Sequence, residues 1–363
     1  MSGPEKTRHL PADPAGIAQA GALLAAGHLV AFPTETVYGL GADARSAEAV
    51  AGIYRAKGRP SSNPLIVHVA DLAGAEALGV FGPAARRLAD AFWPGPLTLV
   101  VPLRPEAGLA PAITAGRETV GLRVPAGPVA PALLAAAGCP VAAPSANPSG
   151  RVSPTEAAHV LDPITGLGGR IAAVLDGGPT AVGLESTIVA ADGGPLRLLR
   201  PGGVPLDVLE DAAGEPIAVS QAAGPATGLA TGHDDTASAT ARPRPAPSAE
   251  AGIAFEAPGM MESHYAPTAR LRLAASAPRV GEAWLGFGPD PDGAGAAPAR
   301  LNLSEAGDRA EAAHRLFACL RRLDAMLAER GAPDATIAVA PIPDTGLGRA
   351  INDRLARAAA PRR

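Results

Sequence analysis

Short apolar runs recur along roughly the first two hundred residues, and each is closed off by glycine or proline. LVAF (29–32), PLIVHV (64–69), LTLVV (97–101), TVGLRV (119–124), PVAA (140–143), AAVL (172–175), STIVA (186–190) and LRLL (196–199) have the length and content of strands. Between the first two lies AEAVAGIYRAKG. There Val50, Ile53, Tyr54 and Lys57 recur at helical spacing, Ser46 is placed to cap the start and Gly58 to stop the end. Strands interleaved with helices predict an α/β domain with a mixed sheet over residues 12–207.

The pattern dissolves over 208–266. QAAGPATGLATGHDDTASATARPRPAPSAEAG has almost no large apolar residues and reads as a flexible or partly extended linker. Order resumes at 267–363. LRLAA, AWLGFG and TIAVAP predict strands. Ser304 to Gly331 predicts one helix, with Ser304 as cap and a stripe of Leu316, Phe317, Leu320, Leu323 and Leu327; Leu347 to Ala358 predicts another. This is a small βαβ-like second domain. No internal repeat is visible.

Composition changes this picture in a few places. Hydrophobic residues make up 47% of the 363, but aromatics only 3%, so the cores must be built from Ala, Val and Leu. The formal net charge of −4 gives no global basic field for nucleic acid. Cys139 and Cys319 are isolated, which argues against a disulfide framework or a zinc site. MSGPEKTRHLPADP has no signal-peptide core, and ALLAAGHLVAF (22–32) is too short to span a bilayer, so a cytoplasmic protein without membrane contact is expected.

Some chemistry is excluded. Lys6 and Lys57 are the only lysines, and neither sits in a phosphate-binding P-loop. GLGRAIND (346–353) carries two of the three glycines of a dinucleotide fingerprint, and a partial match of that kind is ordinarily a turn. The seven histidines show no metal-ligand spacing.

What remains is a series of polar residues at strand ends. In PTETVYGLG (33–41), Thr34, Glu35 and Thr36 stand where a strand gives way to a Gly-rich turn. KGRPSSN (57–63) gathers Lys57, Arg59 and Asn63, and reads either as a solvated loop or as an anion site. His68 shares a strand face with Ile66, as a core residue or a ligand contact. In TVGLRVP, Thr119, Gly121 and Arg123 share a face between apolar neighbours. An arginine there needs an anion, from Glu35, Glu185 or a substrate. Ser145, Asn147 and Ser149 follow a strand, and Ser153–Thr155 is read as opening a helix whose N-terminus favours anions. Ser186 starts a strand and Arg200 ends one. Hydroxyls, amides and arginines so spaced suit a substrate with phosphates and a carboxylate. No His can be tied to Ser145, so a hydrolase triad is unsupported.

PTETVYGLG, KGRP with NPLIVHV, WPGPLT, TVGLRVP, PSAN–PSG–SPT, ESTIV and LRPGG, in this order, closely resemble the threonylcarbamoyl-AMP synthase family, the Sua5/YrdC proteins. The match covers about 12–204, and HYAP (264–267) before a small α/β domain resembles the long two-domain Sua5 form. The resemblance implies a YrdC-like twisted mixed sheet flanked by helices, plus a smaller Rossmann-like C-terminal domain. It implies a nucleotidyltransferase that condenses L-threonine, bicarbonate or CO2, and ATP to threonylcarbamoyl-adenylate and pyrophosphate. The product feeds N6-threonylcarbamoyladenosine formation at position 37 of tRNA, through a partner transferase, with direct tRNA binding weak. Carried over by motif, Thr36, His68, Arg123, Ser145 and Ser186 would hold threonine, with Arg123 on its carboxylate. Lys57, Arg59, Asn63, Thr119, Asn147, Thr155, Arg200 and Tyr265 would hold ATP or the adenylate, and Lys57, Arg59 and Arg123 would carry the catalytic charge. Mg2+ would arrive on the phosphates, with no dedicated protein ligands. The sequence departs from the family before HYAP, where Met261 and Glu262 replace a customary Lys-Tyr pair.

Two rivals are weaker. A carbamoyltransferase with a related domain would carry cysteine-rich zinc fingers, and a double-stranded-RNA module would carry a basic field.

Overall fold

The computed structural model describes residues 6–220, 256–259 and 263–361. The low-complexity stretch at 221–255 and the departures Met261 and Glu262 lie outside the described residues.

The first domain runs β1 (Arg8–Pro11), α1 (Pro14–Ala25), β2 (Val30–Pro33), β3 (Tyr38–Asp43), α2 (Ala47–Lys57), β4 (Ile66–His68), α3 (Leu72–Glu76), α4 (Pro83–Phe92), β5 (Leu97–Pro102), β6 (Thr119–Arg123), α5 (Val129–Ala137), β7 (Val141–Ala142), α6 (Ala157–Leu161), β8 (Ala173–Asp176), β9 (Thr187–Ala190), β10 (Arg197–Arg200), α7 (Leu206–Ala213) and β11 (Ala218–Val219). Its strands form one mixed sheet in the order β1-β8-β2-β3-β7-β4-β6-β5-β9-β10-β11. Apolar clusters cover both faces: one gathers Val50, Ile53, Leu88 and Leu122, the other Leu24, Phe32, Leu133 and Leu175. The second domain runs β12 (Arg270–Arg272), β13 (Ala283–Gly286), β14 (Arg300–Asn302), α8 (Arg309–Glu329), β15 (Thr336–Val339) and α9 (Leu347–Ala359), with an all-parallel sheet β12-β15-β13-β14. The α/β class and the smaller parallel C-terminal domain are therefore as expected.

Local signals explain most boundaries. Ser46 Oγ accepts the Ala49 N–H at the start of α2, and Gly58 ends it at φ 60°. Four readings need correction. The glycines after Thr36 do not extend the turn; Tyr38–Asp43 is a strand antiparallel to β2. A Cβ on Gly41 would lie 2.9 Å from the Phe32 ring, so these glycines admit neighbours. The ordered first domain passes residue 207, because α7 packs Leu209 and Ala213 into the core and β11 pairs with β10. Ser304 does not cap α8. Asp308 does, accepting the Glu311 N–H, while Ser304 Oγ accepts the Asp308 N–H. Finally, α6 starts at Ala157 and has five residues, so SPT opens no helix long enough to serve as an anion site.

The two domains share a core. Val37, Val152, Leu184 and Tyr265 pack with Leu316, Phe317 and Ile351 of the second domain. Among the described residues no helix is long and apolar enough to cross a membrane.

Candidate active site

The turn after β2, the ends of β4, β6 and β10, the segment after β7 and the start of β9 converge on one cavity of about 530 Å3, mouth included. That is within the size range of small-ligand sites. The parallel register of β4 and β6 places His68 beside Arg123. Thr36, completely buried, joins them: its Oγ1 lies 2.7 Å from Thr34 Oγ1 and accepts from Arg123 Nη1 at 3.0 Å. Arg123 Nε donates to the Gly95 carbonyl at 3.1 Å, which gives the WPGPLT motif a task. Arg123 Nη2 stands 2.7 Å from Glu35 Oε1, close but not aligned as a hydrogen bond, so the contact is an ion pair. Of the three anions open to Arg123 in the sequence, Glu35 is the one it meets within the chain.

Opposite lie Ser186 and Arg200. Ser186 Oγ lies 2.8 Å from Thr98 Oγ1, and Arg200 Nη2 donates to the Ser186 carbonyl at 2.9 Å and to its hydroxyl at 3.2 Å. Arg59 is held by the Asn63 side chain at 2.6 Å and the Pro64 carbonyl at 2.8 Å. Burial pushes Arg59 down to about 10, so it stays cationic near neutrality. His68 is driven the other way from ionisation. Burial first, and Arg123 second, bring it down to about 3, so its imidazole is neutral. His264 is also held down to about 3 by burial.

The residues expected on threonine, Thr36, His68, Arg123, Ser145 and Ser186, all line this cavity, as do Arg59, Arg200 and Tyr265 from the nucleotide set. The others do not. The Lys57 ammonium is buried away from the cavity and donates to the Ser145 and Asn147 carbonyls, each at 2.5 Å. Asn63 supports Arg59, and Asn147 Nδ2 donates to the Pro148 and Arg151 carbonyls. The Thr155 N–H donates to His159 Nδ1. Thr119 pairs with Pro102 at the far end of β6, about 13 Å from Arg123 at the rise of a strand; sharing a face is not sharing a site.

Glu185, weighed in the sequence only as a partner for Arg123, lines the cavity too. Sequence reasoning passed over Pro258, Gly259 and His264, which also line it. The signal for the last was HYAP itself. Gly259 has φ 83°, and a Cβ there would lie 2.8 Å from the Tyr265 hydroxyl, so glycine is needed twice over. Tyr265 has φ 62°, a strained value that its packing sustains: the ring stacks on Phe317 at 5.6 Å, with Arg354 5.1 Å from its centroid.

Three guanidiniums, several hydroxyls and neutral imidazoles at the strand ends of a mixed α/β sheet define an anion-binding enzyme of the positioning kind. It has donors for a carboxylate and for phosphates. Among the described residues no serine hydroxyl is bonded to a histidine, as covalent hydrolysis would need.

Comparison with known proteins agrees. Residues 22–202 match a family model for Sua5, YciO and YrdC, described as telomere recombination, and residues 229–360 match the threonylcarbamoyl-AMP synthase C-terminal domain. The threonylcarbamoyl-AMP synthase of Bacillus subtilis (strain 168) is 43% identical over 360 residues, 94% of this chain and 92% of that protein. That of Pyrococcus abyssi (strain GE5 / Orsay) is 43% identical over 247 residues, 68% and 64%. The crystal structure of P. abyssi Sua5 complexed with L-threonine superposes with a TM-score of 0.78 at 34% identity, covering 97% of each chain. This chain belongs to the threonylcarbamoyl-AMP synthase family, in its two-domain Sua5 form.

Proposed function

We propose that this chain is an L-threonylcarbamoyladenylate synthase, which condenses L-threonine, CO2 or bicarbonate, and ATP to threonylcarbamoyl-AMP and pyrophosphate. One observation carries the reading. Thr36, His68, Arg123, Ser145 and Ser186 line a single cavity with Arg59 and Arg200, in a chain whose relatives are named for this reaction.

The threonine carboxylate would pair with Arg123, which lines the cavity. Its ammonium loses a proton to solvent, and the free amine adds to CO2, giving up a second proton to solvent as the carbamate forms. A carbamate oxygen then attacks the α-phosphorus of ATP, the bond from phosphorus to the bridging oxygen breaks, and pyrophosphate leaves. Such a displacement needs orientation and charge stabilisation, not a covalent nucleophile, and orientation alone supplies roughly 7–11 kcal/mol. Arg59 and Arg200 stand where cations are needed for the phosphates. Neutral His68 can hydrogen-bond a substrate without repelling its ammonium. Lys57 acts on the wall, fixing the Ser145 segment. Mg2+ would enter on the ATP phosphates. Glu35 and Glu185 are both committed to arginines, so they offer it no cage, and the chemistry it supplies is neutralisation of phosphate charge. His264 and Tyr265 line the cavity and would help keep water from the reactive adenylate.

The product would pass to a transferase that modifies position 37 of tRNA, with no strong tRNA contact by this chain. Purified protein should release pyrophosphate from ATP only when threonine and bicarbonate are both present. Release without threonine, or no release, would refute the reading.

A further inference from the structure

The C-terminal domain reaches the cavity wall through a buried side chain, Arg354 in α9. Arg354 has no exposed surface. Its Nε donates to Glu185 Oε2 at 2.8 Å, and its Nη1 donates to the Pro201 carbonyl at 2.9 Å and to Asp353 Oδ2 at 2.7 Å. Glu185 precedes β9 and Ser186, and Pro201 follows Arg200 at the end of β10. One guanidinium therefore grips both sides of the β9–β10 pair at the point where Ser186 and Arg200 enter the cavity. The other Glu185 oxygen accepts from Ser153 Oγ at 2.5 Å, so the carboxylate is held at both oxygens.

A second contact touches the same wall. Gly183, at φ 79°, lies so close to α8 that a Cβ would sit 2.4 Å from the His314 carbonyl oxygen. On its other side, the Val182 and Gly183 N–H groups donate to the Glu35 and Thr36 carbonyls at 2.7 and 3.1 Å. The second domain thus rests against the strip that holds Thr36 and carries Ser186.

Stability alone is a poor reason to keep Arg354. A buried ion pair is commonly no better than packed apolar residues, but losing one partner strands the other charge. Here the stranded charge would be Glu185, a carboxylate on the lining of a cavity that must receive a carboxylate and phosphates.

We propose that Arg354 is a positioning residue for the amino-acid side of the cavity: from the second domain it neutralises and holds Glu185, so that Ser186 stays in place and the lining stays receptive to anions. The inference rests on the function proposed above.

The test is calorimetric titration of L-threonine into the full chain, with melting temperature and steady-state kinetics alongside. Arg354→Met should weaken threonine binding about thirtyfold or more, the scale for stranding one member of a buried charge pair, with KM for threonine raised more than kcat is lowered. Arg354→Lys, which keeps the cation but not the fork, should fall between, and it carries the test should the methionine variant fail to fold. Arg354→Met combined with Glu185→Gln should bind within about threefold of wild type, since both charges are gone. A lower melting temperature with unchanged threonine affinity would overturn the inference, and so would a double variant no better than Arg354→Met. Wild type that binds no threonine would overturn the functional reading, and this inference with it.

Discussion

Arg123→Ala is the sharpest perturbation of the proposed chemistry. The guanidinium has five N–H donors. It uses one on Gly95, one on Thr36 Oγ1 and one toward Glu35, which leaves two for a ligand. A hydrogen bond to a charged partner contributes about 1.5–3 kcal/mol, and truncating one member of a buried pair costs about 2–5 kcal/mol. The substitution also strands Glu35, whose side chain is only 9% exposed, beside an arriving carboxylate. Threonine affinity should therefore fall roughly thirtyfold to several-thousandfold. Nucleotide binding should be partly retained, because Arg59 and Arg200 are fixed by Asn63, Pro64 and Ser186 and not by Arg123. Calorimetry with threonine and with ATP, each alone, separates the two. Unchanged threonine affinity would refute the carboxylate role, and equal loss for both ligands would mean that the wall had collapsed.

Three further outcomes are expected. His68 and His264 are both held down to about 3 in the folded chain, against about 6.5 when unfolded, so the unfolded chain binds more protons between those values and stability falls as pH drops below 6.5. At pH 5 the loss is about 2 kcal/mol for each, or about 4 kcal/mol together, which urea melts at pH 7 and 5 would detect; equal midpoints would count against buried neutral imidazoles. Gly259→Ala should lower stability by about 1–3 kcal/mol in urea melts and weaken threonine binding, because it forces a left-handed alanine against Tyr265 and Arg200. Lys57→Met should cost about 1–3 kcal/mol by leaving the Ser145 and Asn147 carbonyls unpaired, with threonine affinity falling alongside. Full stability with lost ATP affinity would return Lys57 to the phosphates.

The parts of this molecule legible in the sequence were those with local causes. Helix α2 could be read from its face, its Ser46 cap and its Gly58 stop, all next to one another in the chain. Arg123 stood out because a charge between apolar strand residues has few explanations. What stayed hidden depended on distant partners. Gly39 and Gly41 look like a turn until Phe32 and Val141 are brought against them. Lys57 and Arg59 are two residues apart and both carry long basic side chains, yet one faces backbone carbonyls and the other the cavity; only the position of the Ser145 segment decides between them. Asp308 took the cap from Ser304 because the Ser304 hydroxyl had the Asp308 N–H to bind. The fingerprint-like glycines at 346 and 348 mark the turn into α9, whose value lies further on, at Asp353 and Arg354.

The balance of charge around the cavity ties these pieces into one argument. Arg59, Arg123 and Arg200 line it, and a lining carboxylate, Glu185, and a flanking one, Glu35, oppose them. Each carboxylate is matched to one arginine: Glu35 to Arg123 within the first domain, Glu185 to Arg354 from the second. The difference matters. In the proposed function Arg123 would serve both Glu35 and an incoming carboxylate, so threonine would bind at a cation already partly satisfied, which would favour release of the product. Arg354 serves no ligand, and with Arg357 and Asp353 it forms a buried cluster in which Glu185 stays ionised yet compensated, its carboxyl kept below the usual carboxylate range by Arg354 and Arg200 against the opposing effect of burial. The second domain thus supplies a cation that no substrate can compete for. That is a physical reason for an adenylate-forming cavity to be finished by a domain that does not line it through α8 or α9.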